Sequence, residues 1–321
     1  MRTRFGWILP GVLAAASMVG CGSSSTTTAD SGTTTQNDSG GMGDMGHTGD
    51  MGGPAPDSGS TTGGLFQGVA SKVTLPTSDT EYAQDVDGKG KKNKLGGVLA
   101  AMKQLELQIG MNEALRTGQL LVLTEVFAKA LTDDPAASIQ VHLGKDLDGN
   151  ATDNFSGTEE FGVHAKSPPA AKVNIKITGG KIEGSGGELV FPLPMGADLV
   201  LLTLKKAVIR GTVSTTGISD GILAGAIPVS EFDSKLAPAM AGLINAYLKD
   251  TKVDAATKTM LKTMFDGNGD GNVTTDEVKS AAVMSLIKNP DVDLNGDGKL
   301  DKDDGISGAI SFTAVAAKIK R

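Results

Sequence analysis

Apolar and polar residues divide the chain into three unequal stretches. A continuous apolar run covers Phe5 to Val19, residues 22–64 are nearly free of apolar side chains, and mixed patterns begin at Leu65. Within the third stretch, Leu99, Met102, Leu105 and Leu107 to Met111 predict a helix over Leu95 to Thr117, weakened by Gly96, Gly97 and Gly110. Gln119 to Val126 has the run of a buried strand. Ser138 to Leu143, Phe161 to Ala165, Lys172 to Thr178, Glu188 to Phe191, Asp198 to Leu204 and Lys206 to Val213 follow as short β-branched runs. Thr178-Gly179-Gly180 and Gly184 to Gly187 punctuate them, and the second reads better as a hairpin turn than as a phosphate cradle. Strands at this spacing predict an antiparallel sandwich or barrel over 65–232 rather than βαβ units.

Beyond Phe232 the period lengthens. Ser230, with Asp233 three residues on, can cap a helix running towards Leu248. Asp254 to Phe265 reads as a helix with Met260, Leu261, Met264 and Phe265 on one side. Thr275 to Lys288 reads as another, with Val278 and Ala282 four apart, and Asn289-Pro290 must stop it. Ile310 to Ile319 fits both periods. The alternation of Ile310, Phe312 and Ala314 tips it towards a strand returning to the sheet, with the helical unit inserted before it. The expected fold class is therefore α+β: a β-rich domain over 65–232 and a helical unit over 233–321.

Two acidic twelve-residue loops flank the last predicted helix. Calcium takes six to eight oxygens, and an EF-hand loop supplies them from positions 1, 3, 5, 7, 9 and 12. In Asp266 to Glu277, Asp266, Asn268 and Asp270 place side-chain oxygens at 1, 3 and 5, Asn272 offers its carbonyl at 7, and Glu277 is long enough to clamp at 12. Gly271 stands at position 6, where the turn needs positive φ. Val273 stands at position 8, through which paired loops usually touch. The second loop has two registers. Starting at Asp291 puts Gly298 at the apolar position and Lys302 at the clamp, and an ammonium cannot ligate a cation. Starting at Asp293 places Asp293, Asn295, Asp297, Gly298, Lys299 (by its carbonyl), Leu300 and Asp304 as required, with Asp301 at position 9. Its clamp is one methylene shorter, which favours weaker or monodentate ligation.

These loops resemble the EF-hand superfamily. The fifteen residues from Val278 to Val292 hold one helix but not an exit helix, a linker and a second entering helix. The second site therefore looks like the half-hands of dockerin modules, where D-x-N-x-D-G with Asp at position 12 is usual. That resemblance implies two Ca²⁺ ions and, as an alternative role, calcium-dependent docking on a protein partner. Two other acidic stretches read as turns. Asp85 to Lys92 carries lysines where later ligands would stand. Asp146 to Asn150 with Asp153, Asn154 and Glu159 lacks Gly at position 6 and is expected to be an inter-strand loop.

The other end of the chain bears on location. Arg2 and Arg4 precede the apolar run, which is too short to span a bilayer and ends at Met18-Val19-Gly20-Cys21. Small residues before a lone cysteine resemble the bacterial lipobox, although Met stands where Leu is usual. This implies a signal over 1–20, acylation of Cys21, and attachment to the cell envelope, with Gly22 favouring the outer membrane. Residues 22–64 hold five Asp and no Lys or Arg, and such a stretch cannot bury enough apolar surface to order itself. They are expected to be a tether, with a mean reach of roughly 35 Å. Met42, Met45, His47 and Met51 have the soft donors that suit Cu(I), but the plainer reading is spacer.

Recognisable catalytic motifs are absent, which leaves a hydrolase with an unrecognised site as the least favoured of three roles, behind structural calcium binding and dockerin-like docking. No G-x-S-x-G, Walker loop or H-E-x-x-H occurs, and His47, His142 and His164 stand in no partner pattern. The net charge of −7, from 30 basic and 37 acidic residues, argues against nucleic acid. Trp7 lies in the signal-like run, leaving Tyr82 and Tyr247 as the remaining polar rings, few for sugar stacking. The layout resembles uncharacterised Gram-negative lipoproteins, which implies a location and a metal rather than an activity. Envelope proteins are the class of partner it suggests.

Overall fold

The computed structural model describes residues 66–102, 105–169, 171–196 and 198–321, apart from side chains 286 and 287. The signal-like run, Cys21 and the tether lie outside them. β1 (Phe66–Thr74) leads to a small hairpin, β2 (Gln84–Asp85) and β3 (Lys91–Lys92), then to α1 (Lys94–Ala101) and α2 (Leu107–Arg116). Next come β4 (Val122–Phe127), β5 (Asp133–Asp146), β6 (Glu160–Val163), β7 (Val173–Thr178), β8 (Lys181–Ser185), β9 (Glu188–Met195), β10 (Asp198–Val213) and β11 (Gly217–Pro228). The helical segment holds α3 (Val229–Glu231), a π-helical turn (Phe232–Leu236), α4 (Ala237–Lys249), α5 (Ala255–Phe265), α6 (Thr275–Ser280) and α7 (Ala282–Lys288). β12 (Gly305–Ala316) and β13 (Lys318–Lys320) follow.

Antiparallel pairing runs β5–β4–β1–β12–β11–β10–β8–β7 and returns from β7 to β5, so these strands form a closed ring. Closure removes exposed edges, and a ring of this size is filled by its own side chains. Ile139, Ile177, Ile182 and Ile209 lie in the same buried core as Met240, Ile244, Leu261, Phe265 and Val278. Residues on both sides of position 232 therefore share one core, and the helical segment is not a body apart. β6 and β13 pair in parallel and cover part of the ring's outer surface, enclosing Val69, Leu121, Leu123 and Phe161.

Three departures from the pattern-based reading have tertiary causes. The helix expected over 95–117 is two helices, separated where Glu106 takes a left-handed φ of 47°. α1 packs on β12 while α2 packs on β1 and β9, directions that one straight helix cannot serve. The strands expected at 198–204 and 206–213 are one, β10, with Lys206 at φ 50° and a register shift between Lys205 and Val208. Its first half pairs with β9 as a ribbon and its second half belongs to the ring. β11, which its pattern concealed, contains Gly221, where a Cβ would lie 2.7 Å from the Phe312 carbonyl oxygen. Close approach excludes the β-branched residues that would have advertised it.

Candidate metal centre

α5 enters the first loop from an N-cap in which Asp254 accepts from the Thr257 amide, and its buried Leu261 and Phe265 fix its direction. The chain then turns through Gly269 and Gly271, at φ 74° and 84°. Asp266 Oδ2 accepts from the Gly271 amide at 2.9 Å, Asn268 Oδ1 from the Asp270 amide at 2.8 Å, and Asp270 Oδ1 from the Asn272 amide at 2.7 Å. Glu277 Oε2 accepts from the Thr274 amide at 2.8 Å as half of a capping box that starts α6. The Thr274 amide, with the Thr274 hydroxyl and the Asn268 amide, holds the Glu277 carboxyl below its ordinary pKa. Asp266 Oδ1 is buried and has no hydrogen-bond partner.

The second loop repeats this wiring in the register that starts at Asp293. Asp293 Oδ2 accepts from the Gly298 amide at 2.9 Å, Asn295 Oδ1 from Asp297 at 2.9 Å, and Asp297 Oδ1 from Lys299 at 2.8 Å. Asp304 Oδ2 accepts from the Asp301 amide at 2.9 Å. Positions 1 and 6, 3 and 5, 5 and 7, and 12 and 9 are thus joined in both loops. Asp291, the rejected start, is engaged elsewhere: its carboxylate holds the Ser307 amide and hydroxyl, both at 2.7 Å. The Gly296 amide draws the Asp293 carboxyl below its ordinary pKa, against burial, with help from the Gly298 amide and the charges of Lys89 and Lys206.

The loops do not touch through their apolar positions. Val273 is buried, and its amide and carbonyl are both bonded by the side chain of Asn245 on α4, at 2.8 and 2.6 Å. Leu300 is 52% exposed. The second loop opens into β12 instead: the Asp304 carbonyl accepts from the Val229 amide at 2.9 Å, and Val292 bridges Gly305. The exit helix expected over 275–288 breaks at Ala281, whose ψ of 140° is extended. Val278 and Met284 are six residues apart and would face different sides of one helix. The break lets both be buried, and it leaves Ala282 exposed. Asn245 and Lys206, the side chains that dock the loops, carry no local motif, so nothing near them in the chain could have singled them out.

The remaining acidic stretches differ: the first is a hairpin turn, and the second is an inter-strand loop in which Asp153 Oδ1 is, like Asp266 Oδ1, buried without a hydrogen-bond partner. Asp85 to Lys92 is the β2–β3 hairpin, with Lys92 paired to Asp87 at 3.2 Å. Between β5 and β6, Asp146 Oδ1 accepts from the Asp148 and Gly149 amides, while carboxylate oxygens of Asp148, Asp153 and Glu159 lie within 4.8 Å of one another. His142 is bonded to the buried Glu125 at 2.9 Å, and His164 Nδ1 accepts from the Lys166 amide at 3.0 Å. Among the described residues no helix is long and apolar enough to cross a membrane.

These observations define a mixed α and β protein built on a large antiparallel sheet, carrying two acidic loops of one geometry. The chain matches no protein-family model, no curated protein and no solved structure.

Proposed function

We propose that the protein is a calcium-binding lipoprotein of the cell envelope in which calcium is structural. The observation that carries this reading is the buried, unpartnered Asp266 Oδ1 inside a loop where Asp266 Oδ2, Asn268 Oδ1, Asp270 Oδ1 and both Glu277 oxygens are held in place by backbone amides. A buried carboxylate oxygen without a partner is costly, and a hard cation is the partner this donor set suits. The residues fit the ion: Asp266, Asn268, Asp270, the Asn272 carbonyl and Glu277 in one loop, and Asp293, Asn295, Asp297, the Lys299 carbonyl and Asp304 in the other. When bound, calcium supplies charge neutralisation for carboxylates that otherwise repel one another. The protein's own residues carry that order outward. Asn245 ties the first loop to α4, and Asp304 ties the second to the start of α3.

Calorimetric titration of calcium into the protein tests this reading. Two ions are expected for the wild type and one each for Asp266→Ala and Asp293→Ala, with dissociation constants of roughly 0.1–1 mM, as in extracellular modules. Absence of heat at millimolar calcium would sink it. The dockerin-like alternative has less support, because Val278 and Met284 of the α6–α7 segment are buried in the protein's own core.

The envelope address rests on Cys21 and the residues before it. Labelled palmitate is expected to enter the wild-type protein in a bacterial host and to be lost in Cys21→Ser, with the variant moving from the membrane to the soluble fraction. Equal labelling of both proteins would refute the anchor.

A further inference from the structure

The two loops share a scaffold but not their surroundings. At position 12 they agree, since both oxygens of Asp304 accept backbone amides, from Leu294 and Asp301, as those of Glu277 do from Asn268 and Thr274; at position 1 they differ, and in the second loop both oxygens of Asp293 accept amides, from Gly296 and Gly298. No oxygen of those two carboxylates waits for a partner, unlike Asp266 Oδ1. Lysines also bond to the start of this loop and to the residues just before it. Lys206 Nζ donates to the Asp293 carbonyl at 2.6 Å, Lys92 Nζ donates to the Asp291 carbonyl at 2.9 Å, and Lys94 Nζ donates to the Asn289 carbonyl.

Lys206 is held there at a backbone cost. It occupies a left-handed φ of 50° at the bend of β10, a conformation that disfavours a side chain with a Cβ. From this bend its ammonium reaches the carbonyl at position 1 of the loop. The first loop has no equivalent. Lys262 Nζ lies 3.8 Å from where a Cβ on Gly271 would stand, but it belongs to an exposed residue and donates no hydrogen bond to the loop among the described residues.

Building on the calcium reading above, we propose that the loops are inequivalent, with Lys206 acting as a built-in cation for the second. Its ammonium, with Lys92 and Lys94, keeps that loop folded without metal and weakens its hold on a divalent cation by repulsion. The first loop has an open carboxylate oxygen and no bonded ammonium, so it takes calcium first and is ordered by it. Lys206 is a positioning residue here: it binds no ion itself and sets how tightly its neighbours do.

Hydrogen exchange on the full-length protein in chelator, read residue by residue, tests the metal-free half of the proposal. The amides of Leu294, Gly298 and Asp301 are expected to exchange about tenfold or more slower than those of Gly271, Asn272 and Thr274, and calcium is expected to slow the latter set. Calcium calorimetry tests the other half. Two affinities separated by about tenfold are expected, with Asp266→Ala removing the tighter and Asp293→Ala the weaker. Lys206→Gly, which accepts the left-handed backbone, should tighten the weaker site several-fold, while Lys206→Arg should leave it as in the wild type. Free exchange of the second loop in chelator, or loss of the tighter site in Asp293→Ala, would overturn the proposal. So would an unchanged weaker site in a folded Lys206→Gly protein. If Lys206→Gly does not fold, the exchange comparison in the wild type still decides. Complete absence of calcium heat would defeat the calcium reading, whereas the exchange asymmetry in chelator would survive it.

Discussion

Ten millimolar calcium is expected to raise the melting temperature of the wild-type protein by roughly 5–20 °C over chelator, and the Asp266→Ala/Asp293→Ala double variant is expected to show no rise. With dissociation constants of about 0.1–1 mM, that concentration exceeds them about 10- to 100-fold and stabilises by about 1.4–2.7 kcal/mol per site. In a domain of this size each kcal/mol shifts the midpoint by roughly 2–4 °C. The stabilisation reaches global unfolding because neither loop hangs free. Asn245 holds Val273 against α4, and Phe265, Val278 and Met284, on the helices flanking the first loop, are in the common core. The second loop ends in the fully buried Asp304 and continues directly into β12, between β1 and β11. Matched ionic strength with magnesium in place of calcium is the control, since Mg²⁺ dehydrates reluctantly and demands octahedral geometry. Equal melting temperatures with calcium and chelator would remove the structural role.

Glu125→Ala is expected to cost about 3–5 kcal/mol, the range for breaking a buried charge network, and to lower the midpoint of urea unfolding accordingly. Glu125 is fully buried on the outer surface of the ring beneath β13. Its carboxylate accepts from Gln67 Nε2 at 3.0 Å, meets His142 Nε2 at 2.9 Å and pairs with the Arg321 guanidinium. Gln67 in turn accepts from the Ile319 amide at 3.0 Å, so the network joins β1, β4, β5 and β13. Burial pushes the carboxyl pKa up, but the bonds from His142, Arg321 and Gln67 outweigh it and bring it down from an ordinary 4.5 to about 2. The unfolded chain therefore takes up this proton near pH 4.5 while the folded protein resists until about pH 2. The stabilisation is fully present above the first value and is lost as pH falls towards the second, amounting to about 3 kcal/mol. Glu125→Gln should remove this part of the acid limb and leave the remainder. An unchanged slope between those two pH values would refute the role assigned to the network.

The acidic loops were legible because their information is local. The acidic positions, the glycine at position 6 and the apolar residue at position 8 all fall within twelve residues, and the second loop repeats the hydrogen bonding of the first in the register that starts at Asp293. The strands at Ser138 to Leu143 and Lys172 to Thr178 were legible for a similar reason, since a period of two needs only a few residues to show itself. β11 was hidden because its glycines answer to Phe312 and Leu204, which come near only when the sheet forms. The break at Ala281 answers to a core that must receive both Val278 and Met284.

The amino-acid pattern by itself determined a mixed α and β chain with two acidic twelve-residue loops, a lone cysteine behind an apolar run, and a polar stretch between them. Only the tertiary structure decided that the strands close into a ring, that the helical segment shares its core, and that the two loops stand in unlike surroundings. The physical reason is the range of the interactions. Turn geometry and ligand spacing are set within a few residues, whereas the partners of Asp293 and Val273 are Lys206 and Asn245, side chains 87 and 28 positions away.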